Sequence, residues 1–520
     1  MLLKKYLKLF LLGKNTISKK RFIWILAFYL SVLSIPFIVK SFNFKMATLA
    51  LLLGFFLNII TLSIFRFNKL ALKIWSCFVL ISSSSALFFV INDGMVFSRH
   101  LMKSVFVASK DEIFSNFHIT ILIYLLFFGI LPCYFVVKTK FINVKQSLFS
   151  KLSPVFIVVI FALSYLFFQK EFILIVIKHR ANIIGYDNTE TLLEAGLSSI
   201  VHKILTKKYD IRPLTEVAEF NLEKPEKINV ILIIGESARA DRFSLLGYNR
   251  KTNPKLENIK NLYINSALAC AGVTLKSVPC MLSPVKSEEF SLPPSQGFVV
   301  DVFKKLNFRS VLYSTNDIRE TDLVIKNIHE SFGEYHNLRY QFDEVILPKL
   351  DGYVGSNENQ FLVLHSAGSH FQYHHRYPDN FDIFSPSCKE SVYDCSREMI
   401  DNVYDNTILY TDFIISEIIK KFKNENTVLF YVADHGESLG ESGIYKHGIP
   451  ITFAPDAQKY VPFFVWVSDE YIRLNPEKAK ALLKGGINER ISHDYLFSSL
   501  LDCANISSEM VDKDLSLCHL

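Results

Sequence analysis

Charge is missing from five stretches of this 520-residue chain: Phe22 to Val39, Met46 to Phe65, Ile74 to Ile91, Ile119 to Val137 and Leu152 to Gln169. Each is long enough to cross a hydrocarbon core, and five in series with charged connectors argue against one large water-soluble globule. The chain also has no C-x2-C pair, which removes the usual spacing of a cysteine zinc site. There is no internal repeat and no low-complexity tract, so a solenoid or a compositionally biased linker does not describe it. The basic lead is long and no small-x-small site follows the first span, so that span is expected to be retained rather than cleaved.

What is present is unevenly spread. Half of the residues are hydrophobic, 46 of them Phe, and the apolar residues crowd into the first third, which predicts two unlike parts. Lys and Arg set the orientation. Seven basic residues from Lys4 to Arg21 precede the first span, and seven more from Arg66 to Lys151 occupy the second and fourth connectors. The positive-inside bias then predicts a cytoplasmic N-terminus, 1–21, and a transmembrane domain of five spans, 22–178. A linker, 179–225, with a possible interfacial helix over Glu190 to Thr206, would lead to a soluble domain, 226–520, on the far side. These anchors account for most of the net charge of +7, so no nucleic-acid partner is expected.

Cys77 and Cys133 fall inside spans. The other six cysteines come as close pairs on the expected outer side, Cys270 with Cys280, Cys388 with Cys395 and Cys503 with Cys518, as disulfides in an oxidising compartment would. In the soluble part, apolar runs ("INVILIIGE", "FRSVLYSTN", "QFLVLHSAGSH", "NTVLFYVADHGE", "VPFFVWVSDE") alternate with helical patterns such as "VVDVFKKLNF" and Tyr404 to Phe422. That alternation predicts an α/β domain with a largely parallel central sheet. Sites in such sheets lie beyond the carboxyl ends of the strands. Three of these runs end in potential metal ligands: Glu236, His365 with His370, and Asp434 with His435. An acid after a strand also serves as a plain helix cap, but Asp-His at a strand end supplies the oxygen and nitrogen that zinc accepts.

"GESARADRFSLLGYNRKTNP", "CAGVTLKSVPCM", "GSH", "HRYP" and "DHGESLGESGIYKHG", in this order behind five spans, resemble the lipid A-modifying phosphoethanolamine transferases of the alkaline phosphatase and sulfatase superfamily. The resemblance implies Thr274 as the nucleophile and a zinc held by Glu236, Thr274, Asp434 and His435. It implies that His370 and His447 bind the phosphoethanolamine group or a second zinc, and that Glu112 contributes to the headgroup site from the membrane part. It further implies phosphatidylethanolamine as donor, lipid A or another envelope glycan or protein as acceptor, and a bacterial inner membrane with the catalytic domain in the periplasm.

The chemistry is consistent with that. A threonine hydroxyl is a poor nucleophile at neutral pH and needs a base or a metal. Some positions depart from the family pattern. Phe371 and Gln372 follow "GSH" where Gly-Pro is usual, Ser104 and Ala108 stand where Asn and Thr are common, and Asn316 and Arg319 only loosely replace a Ser and a Lys. Two other readings fit the same outline: a lipoteichoic-acid-type glycerol-phosphate transferase using phosphatidylglycerol, and a non-catalytic membrane sensor on the same fold. A sulfatase would need a C/S-x-P-x-R nucleophile context, which is not found at Thr274.

Overall fold

The computed structural model describes residues 16–35, 44–92, 119–142 and 211–519, the last range without 225, 293, 317–322, 391, 393, 450, 453 and 485–490. The chain divides into two compact units.

In the first unit the described helices are α1 (Lys19–Leu33), α2 (Phe44–Ile64), α3 (Lys69–Asn92) and α4 (Thr120–Lys138). Two segments, Lys69–Phe89 and Thr120–Lys138, are long and apolar enough to span a membrane. The fifth expected span, 152–169, lies outside the described residues, as do Glu112 and the helix expected over Glu190 to Thr206. Phe22, Leu26, Leu30, Ile59, Leu62, Leu72 and Leu80 pack together inside this unit, while Ile74, Ile119, Phe127, Ile130 and Val137 stay exposed, a surface suited to lipid rather than water. The hydroxyls of Ser76, Ser82, Ser84 and Ser85 on α3 donate to carbonyls of their own helix, Ser76 Oγ to Leu72 at 2.6 Å. A π turn, Leu125–Ile130, interrupts α4 at Gly129, where a Cβ would come 2.6 Å from Ser84 Oγ. The missing side chain lets α3 and α4 approach closely.

The second unit is built on an eight-stranded sheet: β1 (Asn229–Gly235), β2 (Leu262–Leu268), β3 (Arg309–Ser314), β4 (Glu334–Asn337), β5 (Gln360–His365), β6 (Thr427–Ala433), β7 (Tyr460–Val467) and β8 (Ile491–Ser492). The spatial order is β8-β2-β7-β6-β1-β5-β3-β4. Strands β6, β1, β5, β3 and β4 are parallel, and β7 alone runs against its neighbours β2 and β6, so the sheet is mixed with one reversed strand. All seven residues of β1 are buried, which explains its unbroken Val/Ile/Leu run: a central parallel strand has no wet face. Strand β2 was not among the runs expected from sequence. Its burial alternates, so its apolar residues are spaced rather than consecutive.

Helices α5 (Thr274–Met281), α6 (Val299–Lys305), α7 (Arg397–Phe422) and α8 (Asp494–Cys503) complete the parts used below. Helix α7 begins seven residues before the expected Tyr404, because the Ser396 hydroxyl accepts from the Met399 amide and caps a further two turns. Its buried face is partly polar. Asp405 pairs with Arg242 and Arg250 and accepts from the Tyr248 hydroxyl, so "RADRFSLLGYNR" is docked onto α7 by charge. The core of the second unit also recruits chain before residue 226: Leu214 is fully buried, and Asn221–Leu222 pairs antiparallel with Ile506–Ser507.

Candidate active site

The carboxyl ends of β1 and β6 are adjacent in the sheet, and each is followed at once by a buried acid, Glu236 and Asp434. The turn at Gly368 makes room for them. Gly368 has φ of +50°, and a Cβ there would meet the Glu236 carbonyl oxygen at 2.8 Å. Thr274 is the first residue of α5, at the positive end of the helix dipole.

The polar atoms converge. Thr274 Oγ1 lies 3.1 Å from Glu236 Oε2 and 3.1 Å from His435 Nε2. His435 Nε2 is also 3.5 Å from Glu236 Oε1 and 3.3 Å from Asp434 Oδ2. His435 Nδ1 is 3.0 Å from the Gly436 carbonyl, which only accepts, so Nδ1 carries the proton and Nε2 turns a lone pair to the cluster. Glu236 is oriented through both oxygens, Oε1 accepting from the Ser237 hydroxyl at 2.7 Å and Oε2 from the Asn316 amide at 2.8 Å. Asp434 Oδ1 accepts from the Ser237 and His435 amides, whereas its buried Oδ2 makes no hydrogen bond of ordinary geometry.

A hydroxyl, two carboxylates and one imidazole lone pair therefore face one another with a single hydroxyl proton among them. Burial together with the Glu236 charge pushes the Asp434 carboxyl well up. Burial also acts to raise Glu236, but the rings of His435, His370 and His447, when protonated, together with the Ser237 hydroxyl outweigh it and hold that carboxyl below its ordinary range. A buried acceptor without a partner, in a set of mixed oxygen and nitrogen donors, fits a cation of the zinc type. His435, Glu437 and His447 form a second group of the same kind.

The other expected residues sort as follows. The His370 and His447 rings are 5.9 Å apart, and His447 is 4.2 Å from His435, so both lie beside the cluster. His365 does not. It lines an apolar cavity with Val278, Leu312 and Phe332, buried behind the strand ends, because the strand alternation sends its side chain to that face. Asn316 turns out to orient Glu236.

All three expected disulfides are formed. Cys270 and Cys280 pack with Phe290, and the bridge closes the loop that presents Thr274. Cys270→Ser, in protein otherwise oxidised, is expected to lower kcat by roughly tenfold to a hundredfold with little change in fold, since positional errors of about 1 Å have effects of that size. Unchanged kcat would remove the bridge from any role at Thr274.

His493 was missed by sequence reasoning, since "SHD" carries no motif. Its Nδ1 accepts from the Cys270 amide at 3.1 Å and its Nε2 donates to the Ala433 carbonyl at 2.9 Å, tying the disulfide loop to the end of β6. Burial pushes the His493 imidazole down to about 4, and that of His365 likewise. Each neutral ring must be protonated on unfolding in acid, so stability is intact above about pH 6.5 and falls as the pH drops towards 4, by on the order of 3 kcal/mol per ring. Thermal unfolding of the full chain across this range should show the decline, and His493→Gln should flatten part of it.

This fold, with a threonine at a helix start facing acids at two strand ends, is that of the sulfatase class. A family model described as Sulfatase matches residues 228–506, and one described as Phosphoethanolamine transferase EptA/EptB matches residues 54–203. Phosphoethanolamine transferase EptA of Helicobacter pylori is 30% identical over 419 residues, covering 76% of each chain, and that of Escherichia coli K12 is 29% identical over 459 residues, covering 84% of this chain and 83% of its own. The integral membrane lipooligosaccharide phosphoethanolamine transferase A of Neisseria meningitidis superposes with a TM-score of 0.78 at 23% identity, over 97% of this chain and 98% of its own. The chain belongs to the phosphoethanolamine transferase family within the sulfatase fold.

Proposed function

We propose that this protein transfers phosphoethanolamine from phosphatidylethanolamine to lipid A or a related cell-envelope acceptor through a covalent threonine ester. The observation that carries the reading is Thr274 Oγ1 at 3.1 Å from both Glu236 Oε2 and His435 Nε2, at the start of a helix and beside the unpaired Asp434 Oδ2. Glu236, Thr274, Asp434 and His435 would hold zinc. Bound there, zinc favours the alkoxide of Thr274 and neutralises charge on the transferred phosphoryl oxygens.

The chain's own residues supply the rest. Asn316 and Ser237 fix Glu236, and the Gly436 carbonyl fixes the His435 tautomer, so the threonine oxygen is held at one point. That oxygen attacks the donor phosphorus, the bond from phosphorus to the glycerol oxygen breaks, and diacylglycerol leaves with the threonine proton. An acceptor hydroxyl then attacks the phosphorus of the phosphoethanolamine-threonine ester, the bond from phosphorus to Thr274 Oγ1 breaks, and the acceptor's proton restores the threonine hydroxyl. His370 and His447 bound the headgroup side of the cluster, and Glu112, which lies outside the described residues, would add to the headgroup site as the family resemblance implies.

The same reading carries the topology: five spans over 22–178, a cytoplasmic N-terminus over 1–21, a linker over 179–225 and a periplasmic domain over 226–520 of a bacterial inner-membrane protein. Three oxidised cysteine pairs support the periplasmic location. The test is release of diacylglycerol from labelled phosphatidylethanolamine by purified protein in detergent with zinc. Release from phosphatidylglycerol in its place would instead support the glycerol-phosphate transferase. Zinc-loaded protein that releases neither would support the sensor.

A further inference from the structure

His370 and His447 stand side by side but present opposite ring atoms. Arg376 Nη2 is 3.3 Å from His370 Nδ1 and donates to the Phe371 carbonyl at 2.9 Å, while its Nε donates to the His370 carbonyl at 2.9 Å. A guanidinium has donors only, so His370 Nδ1 accepts and the proton of the neutral ring is on Nε2. At His447 the polarity is reversed. Its Nδ1 lies 2.6 Å from Glu437 Oε2, a carboxylate that accepts, so the proton is on Nδ1 and Nε2 keeps its lone pair. Glu437 is fully buried and accepts from the Tyr373 hydroxyl at 2.8 Å, which fixes that arrangement.

We propose that Arg376 is a positioning residue that locks His370 as the Nε2–H tautomer, making His370 a hydrogen-bond donor to a non-bridging oxygen of the transferred phosphoryl group and not a ligand of a second metal ion. The inference rests on the transfer reaction proposed above. Ligation through Nε2 needs a lone pair where this tautomer has a proton, and Nδ1 is already taken by the guanidinium. Among the described residues two groups could hold a metal, Glu236 with Asp434 and His435 at the nucleophile and His435 with Glu437 and His447 beside it, and His370 is in neither. Of the two neighbouring histidines, one therefore donates and the other accepts. An anionic phosphoryl group needs the donor.

The glutamine amide nitrogen reaches the place of a histidine Nε2, whereas the asparagine amide reaches the place of Nδ1. In full-length protein with zinc, His370→Gln should keep kcat within about tenfold of the wild type, while His370→Ala and His370→Asn should lose about a hundredfold, the usual effect of deleting one transition-state donor. Zinc content should be the same in all four proteins. A His370→Gln protein as inactive as His370→Ala, or loss of a zinc equivalent in His370→Ala, overturns the proposal.

The tautomer is read without turnover from 15N shifts of histidine-labelled protein, His370→Gln assigning the signal. The expected pattern is an unprotonated Nδ1 and a protonated Nε2, becoming mixed in Arg376→Met. The reverse pattern, or no change in Arg376→Met, overturns the role of Arg376. Wild-type protein that shows the expected tautomer yet releases no diacylglycerol from phosphatidylethanolamine would refute phosphoethanolamine transfer, and with it the donor role of His370, while leaving the Arg376 lock standing.

Discussion

Replacing Thr274 with alanine is expected to reduce diacylglycerol release from phosphatidylethanolamine by about a thousandfold or more, with thermal stability unchanged. The size follows from the chemistry. Without the hydroxyl no covalent ester forms, and what remains is the binding and orientation of donor and water, which in related nucleophilic enzymes leaves only a small residue of the rate. The fold should tolerate the change, since Thr274 is a partly exposed first helical residue whose hydroxyl contacts only the cluster, and alanine is a good helix former. Thr274→Ser, which restores an oxygen at the same place, should recover part of the rate. Equal activity in wild type and Thr274→Ala would remove the covalent mechanism altogether.

The second large effect is expected at Asp434. Asp434→Asn should bind zinc far more weakly and fall to near the Thr274→Ala rate, and chelation of the wild type should do the same reversibly. The Oδ2 atom is buried without a hydrogen bond and 3.3 Å from His435 Nε2, so its natural partner is a cation. The neutral amide keeps the shape but supplies less charge to that cation, and it sits beside Glu236, whose charge then has less competition. The fold should survive, because Oδ1, the atom that accepts the Ser237 and His435 amides, is retained as the amide oxygen. Zinc content by elemental analysis, measured beside turnover, checks both halves. Full activity in zinc-free protein would contradict the site.

Much of this was legible in the sequence where a local rule forced it. A buried parallel strand must be apolar throughout, so "INVILIIGE" and "NTVLFYVADHGE" announced β1 and β6, and the residues after them, Glu236, Asp434 and His435, had to lie at one end of the sheet. The cysteine pairs were close enough in sequence to be matched by proximity. What was hidden depends on contacts between distant segments. Asn316 orients Glu236 across 80 positions, and His493 reaches Cys270 across 223. Neither has a spacing that sequence reading can use. His365 shows the converse. It stands at a strand end like the true cluster members, yet strand alternation turns it towards an apolar cavity. The mixed sheet was also hidden, because the apolar run of β7 is the same whether the strand runs with or against its neighbours.

The most direct test of the central claim is to expose the purified protein, in detergent with zinc and without acceptor, to phosphatidylethanolamine labelled in the headgroup, beside phosphatidylglycerol labelled likewise, and to map any label retained on the protein. Diacylglycerol should be released from phosphatidylethanolamine alone, with one phosphoethanolamine group on the peptide that carries Thr274. Label at another residue, label from phosphatidylglycerol, or steady release with no labelled protein in a rapidly quenched sample would contradict that claim.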